Sequence, residues 1–174
     1  MKFNTRFLVI SSLIVLAIVS RLLPHIPNFT AVSAVALFGA AQYDKKIMAF
    51  LVPFTALFIS DALLGFYHGM EWIYVTFALI IITGFALRNK VTVPRVIILS
   101  IISSLLMFII SDFGVWIGSG MYPHTWQGFI TCYIAAIPFL RNELFGDLFY
   151  SGLLFGAFYL AQLKFPTLLK QRIK

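Results

Sequence analysis

Three aspartates, Asp61, Asp112 and Asp147, stand inside otherwise apolar stretches of the chain. A carboxylate in the middle of a membrane-length apolar helix costs about 2.5–3.5 kcal/mol to insert, so it faces a bundle interior or a wet cavity, where it can hold a positive charge or a proton. Around these acids the ends of the apolar runs carry all three histidines (His25, His68, His124) and all three tryptophans (Trp72, Trp116, Trp126). A small-molecule pocket is mostly apolar with a few fixed polar groups. Here Phe29, Trp72, Trp116, Tyr122 and Trp126 would wall it. Asp61, Asp112, Asn142 and Asp147 would fix a solute, Asn28 lies close by in sequence to Phe29, and His25 and His124 would line the mouth. The surplus of carboxylates favours a cationic or amine-bearing solute.

Catalytic and metal signals are weak. The chain has no Gly-x-Ser-x-Gly elbow, no His-Glu-x-x-His and no phosphate-cradling Gly-x-x-x-x-Gly-Lys. The histidines lack ligand spacing, and a single Cys132 rules out an internal disulfide and an all-cysteine metal cage. We therefore expect no catalytic residue, no metal and no cofactor.

The elements that must position these residues are membrane helices. Of the 174 residues 61% are apolar and 11% charged, whereas a soluble domain carries roughly 25% charged residues. Runs near the ~20 residues a span requires predict a single all-α, polytopic domain over 1–174, a compact bundle of about six transmembrane helices at 7–23, 29–42, 47–66, 72–88, 94–117 and 142–163. The basic start and apolar run from Phe7 resemble a signal peptide but lack a cleavage site, so they are read as the first span. The stretch 126–140 ends at Arg141 with Pro138 near its end. It is read as a helix lying at, or dipping into, the outer half of the membrane.

Charge placement supports that count. With six spans, eleven basic residues fall on one side (Lys2, Arg6, Lys45, Lys46, Arg88, Lys90, Arg95, Lys164, Lys170, Arg172, Lys174) and only Arg21 and Arg141 on the other. Basic loops stay in the cytoplasm, so both termini are expected inside a bacterial cytoplasmic membrane. The net charge of +7 forms no single cationic face and does not predict nucleic-acid binding. The three deep aspartates each lie about 9 Å below the outer rim, from six residues at 1.5 Å each. That common depth implies a shared outward-facing cavity, against the alternative that they pair with Arg21 and Arg141 as structural glue. Ile59-Ser60-Asp61 with Gly69-Met70 recurs as Ile110-Ser111-Asp112 with Gly120-Met121 at an offset of 51, a weak parallel repeat. The second span is rich in small residues, among them Ala36, Gly39, Ala40 and Ala41, which reward only close helix packing.

The stretch from Ser20-Arg21-Leu22-Leu23-Pro24-His25-Ile26-Pro27-Asn28-Phe29-Thr30 to Ala36-Leu37-Phe38-Gly39-Ala40 resembles an uncharacterised family of bacterial transport proteins. The later Tyr133-Ile134-Ala135-Ala136-Ile137-Pro138-Phe139, with Asn142 and Gly146-Asp147, is similar in style to the substrate-binding (S) components of energy-coupling-factor (ECF) vitamin transporters. That resemblance implies capture of a vitamin or related micronutrient from the outer side, with lipid, a membrane coupling subunit and ATPase subunits as partners. S components carry an Ala-x-x-x-Ala coupling pattern on the first helix. Here the nearest match is Ala36-x-x-x-Ala40 on the second span, which makes those two residues the candidate partner-packing pair. Two other classes compete: an intramembrane enzyme using the carboxylates and histidines, and a non-transporting scaffold.

Overall fold

A computed structural model describes residues 4–169; the predicted basic residues Lys2, Lys170, Arg172 and Lys174 lie outside the described residues. The described chain folds into six α-helices: α1 Thr5–Val19, α2 Val32–Gln42, α3 Lys46–Leu64, α4 Met70–Gly84, α5 Val93–Gly118 and α6 Trp126–Lys164. Local chemistry sets several boundaries. The Asn4 side chain accepts from the Phe7 amide at 2.8 Å, and Thr125 accepts from Gly128 at 3.2 Å, capping the starts of α1 and α6. Gly65 (φ 95°) and Gly69 (φ 90°) supply the left-handed backbone that turns α3 into α4. Five of the helices, counting the 3-10 turns that extend α1 and α4, are long and apolar enough to cross a membrane. Leu16, Phe58, Leu63, Val93 and Leu160 are among the many large apolar side chains left on the outside, where lipid would cover them.

The sixth helix differs from expectation. The second span was placed at 29–42, but α2 begins at Val32 and has 11 residues, about 16 Å at 1.5 Å per residue. Alone it is too short to span, so the chain returns from the far end of α1 through residues 20–31 and α2 together, and at Gln42 it reaches the end where Arg6 stands. It is the axis of the bundle, touching all five other helices, and every one of its residues is buried. Small residues make this possible. A Cβ on Gly84 would stand 2.7 Å from that of Ala40, and one on Gly39 would stand 2.7 Å from Pro53 Cγ, so backbones approach where side chains end. Phe38 projects from α2 between Phe155 and Phe158, edge-on at 5.3 and 5.6 Å. Ala36 and Ala40 are therefore spent inside the chain, fully buried. The expectation that they pack against a partner is corrected, because they present no surface.

A buried half-helix leaves its terminal carbonyls without partners. Two arginines supply them. Arg6 donates to the Gln42 carbonyl at 2.9 Å, to its side chain at 3.1 Å, and to the Leu168 carbonyl. Arg88 donates to the carbonyls of Ala40 (3.1 Å), Tyr43 (2.5 Å) and Asp44 (3.1 Å). Cations at the negative end of a helix are also favoured by its dipole. These bonds gather the start of α1, the ends of α2 and α4 and the last described residues at one basic end of the bundle.

The second difference lies in α6. The predicted outer segment 126–140 and span 142–163 are one continuous helix of 39 residues with Pro138 inside it, about 58 Å long against ~30 Å of hydrocarbon. Its register against α5 shows how that length is used. Ser104 bonds Asp147 and the Asp112 carbonyl accepts from Cys132. Between those contacts α5 advances eight residues, about 12 Å, while α6 advances fifteen, about 22 Å. The first part of α6 thus runs obliquely across α5 rather than alongside it, and it packs on the end of the bundle opposite Arg6 and Arg88.

Candidate functional site

The oblique crossing of α5 and α6 builds a polar seam. On α6, Glu143, Asp147 and Ser151 repeat every fourth residue and share one buried face. Ser100 and Ser104 on α5 oppose them. Ser100 donates to Ser151 at 2.8 Å, and Ser104 donates to the Asp147 carboxylate at 2.7 Å. Ser33, in the first turn of α2, turns its buried hydroxyl toward the same carboxylate. Gly146 makes the approach possible, since a Cβ there would meet the backbone of Phe29 and Thr30 at 3.1 Å. Asp147, 2% exposed, thus lies against the uncapped start of α2, where the dipole favours a negative charge.

One turn toward the start of α6 is Glu143, 8% exposed, within electrostatic reach of both Asp147 and Asp112. No described side chain donates a hydrogen bond to the carboxylate of Glu143 or of Asp112, and among the described residues the one ion pair, Arg21–Asp61, lies elsewhere. The three acids are strung along the seam. Among the described residues no three of His, Cys, Asp and Glu are grouped to hold a metal ion.

One turn along α5 from Asp112, at the end of the bundle opposite the arginines, lies an aromatic cleft of about 270 Å³ lined by Trp116, His124, Thr125, Trp126 and Phe129. Trp116 and Phe129 meet nearly at right angles with centroids 5.3 Å apart, and Trp126 stacks on Phe129 at 5.4 Å. Trp116 Nε1 donates to the Pro123 carbonyl at 3.1 Å, and His124 Nε2 bonds the Ile117 carbonyl at 3.0 Å.

The predicted site residues divide accordingly. Asp112 and Asp147 lie on the seam; Trp116, His124 and Trp126 line the cleft. Asn142 begins the next turn outward and donates to the Pro27 carbonyl at 3.0 Å, tying α6 to the loop that carries His25, Asn28 and Phe29. Phe29 itself packs on Phe149 and Tyr150. Asn28 takes a left-handed turn (φ 60°) and, like His25, is exposed. Trp72 fills the notch left by Gly114 on α5 and meets Phe113 edge-on; Tyr122 is half-buried in the loop before α6.

Asp61 stands apart. It is 1% exposed and accepts from Arg21 and Tyr74, both at 2.9 Å, while Arg21 also donates to Ser60 at 2.9 Å. The pairing alternative holds for this acid, and the expected trio Asp61, Asp112 and Asp147 is replaced by Asp112, Glu143 and Asp147. Beginning the last span at residue 142 puts Glu143 at its outer end. The signal that could have found it was the four-residue spacing Glu143, Asp147, Ser151 opposite Ser100 and Ser104. Phe129 and Thr125 were also missed. No curated protein and no solved structure matches this chain. One family model covers it from residue 1 to residue 168, and on that match the chain belongs to the family of unknown function DUF6580.

Proposed function

We propose that this chain is a membrane transport protein that binds a small, positively charged organic solute, a vitamin or related micronutrient, at the α5–α6 seam. The observation that carries the reading is the buried pair Glu143 and Asp147 with the half-buried Asp112 further along the seam, and no described cation beside any of them. A carboxylate held there without a partner is costly, and that cost is relieved either by a proton or by a cationic guest. The aromatic cleft gives the guest a route from the end opposite the basic one. That basic end holds Arg6, Lys45, Lys46, Arg88, Lys90, Arg95 and Lys164, so the rule of basic cytoplasmic loops puts both termini inside a bacterial cytoplasmic membrane and opens the cleft outward.

Action as the substrate-binding component of an ECF-type importer fits this plan, with coupling and ATPase subunits supplying energy. Their contact would have to use lipid-facing surface, since Ala36 and Ala40 are buried. The test is ligand retention. Native mass spectrometry of gently purified protein should find a small cation, and Glu143→Gln or Asp112→Asn should weaken its binding at least tenfold in folded protein. Unchanged affinity in both variants would remove the reason for placing the solute at the seam.

A further inference from the structure

Building on that reading of the seam, we propose that the aromatic cleft recognises an alkylated ammonium group, quaternary or tertiary, as the charged head of the free solute. The cleft's rings supply π faces, and its polar atoms are largely committed within the chain. Trp116 Nε1 is bonded to Pro123, His124 Nε2 to Ile117, and Thr125 Oγ1 to the Gly128 amide. Trp nitrogen can only donate, which offers nothing to a cation.

A primary ammonium brings three N–H donors and would have to leave water for the remaining lone pairs of His124 Nδ1 and Thr125 Oγ1. An alkylated ammonium has few or no such bonds to lose. It presents methyl groups and a diffuse charge, which aromatic faces attract. Charge complementarity comes from below: Asp112 lies one turn beneath Trp116 on α5, and no lysine or arginine lines the cleft. At about 270 Å³ the cleft falls just under the ~300–1,000 Å³ typical of sites for drug-sized ligands. It suits a head group better than a whole bulky ligand.

The experiment uses the full chain in nanodiscs of phosphatidylglycerol, which carry no alkylated ammonium. Tetramethylammonium, methylammonium and the neutral, similarly shaped 2,2-dimethylpropan-1-ol are titrated by calorimetry and tryptophan fluorescence. Tetramethylammonium should bind at least tenfold more tightly than either comparison compound. Trp116→Leu and Phe129→Leu should each weaken it about tenfold, with helix content and melting retained, while Phe129→Tyr keeps binding. Equal or tighter binding of methylammonium, still lost in Glu143→Gln, would overturn the alkylated-head assignment and leave the cationic solute standing. If tetramethylammonium binds but ignores both ring substitutions, the cleft is not its site. Binding of no cation at all would overturn both readings.

Discussion

The Arg21–Asp61 pair offers the sharpest test of how the acids divide between structure and function. Asp61 is 1% exposed with a short side chain, so once Arg21→Met removes its counter-charge it cannot reach water. Removing one partner of a buried ion pair costs about 3–5 kcal/mol, and the Tyr74 bond left on Asp61 holds the value near the lower limit. Asp61→Leu strands Arg21 and the Tyr74 hydroxyl. Arg21 lies at the helix end, 11% exposed, where a long side chain can turn its head to the surface, so about 3 kcal/mol is expected here too. The double variant removes both charges and leaves the Tyr74 hydroxyl without an acceptor, a cost of about 1 kcal/mol. The two substitutions should therefore fall far outside the ~0.5 kcal/mol within which independent sites add. Equilibrium unfolding in mixed micelles, followed by circular dichroism, measures each term. A double variant as destabilised as the two singles together would refute the pairing. The same double variant should bind solute within about twofold of the parent, and a lost affinity would return Asp61 to the site.

The remaining expectations concern the bundle that holds the seam. Gly84→Val should destabilise by at least about 1–3 kcal/mol, because added atoms press Ala40 and Leu37, whereas Gly152→Ala, with nothing within 4 Å, should be neutral or gain up to ~1 kcal/mol in the same assay. Arg88→Met should cost about 2–3 kcal/mol by leaving the carbonyls at the end of α2 unbonded, visible as a lower melting temperature and faster amide exchange at residues 40–44. Ser100→Ala should cost only about 0.6–1 kcal/mol, the usual worth of one hydroxyl bond between membrane helices; a loss above 3 kcal/mol would mean the seam is more tightly coupled than its hydrogen bonds imply.

Much of this architecture was legible because hydropathy and charge placement act residue by residue. The spans of α1, α3, α4 and α5 needed only runs of apolar residues and the basic breaks at Lys45-Lys46 and Arg88-Asn89-Lys90. What was not legible depends on tertiary partners. The all-small surface of α2 signals close packing, but whether its partners lie in the same chain or another is decided only by where Gly84 and Pro53 come to rest. Pro138 and Arg141 read as a break because a proline lacks an amide and an arginine belongs near water. The helix continues through both, with their side chains exposed. That error moved Glu143 to the rim and hid the seam. The repeat at an offset of 51 matched Asp61 to Asp112, yet one carboxylate meets Arg21 and the other no cation, so similar local sequence did not imply a similar environment.

The electrostatics of the half-helix separate the acids once more. A helix that ends inside a bundle carries roughly half a positive charge at its start and half a negative charge at its end. At the end of α2 the negative pole meets Arg6 and Arg88, and at its start the positive pole meets Asp147, which Ser104 also bonds. Asp147 therefore has partners within the chain in the absence of any guest, as Asp61 does in Arg21 and Tyr74. Glu143 and Asp112 have none: no dipole end, hydroxyl or cation of the described chain answers them. An apolar residue of similar size would fill either position at lower cost to the fold. The demand for a proton or a positive partner from outside the chain thus falls on these two, with Asp147 beneath them as the anchored floor of the seam.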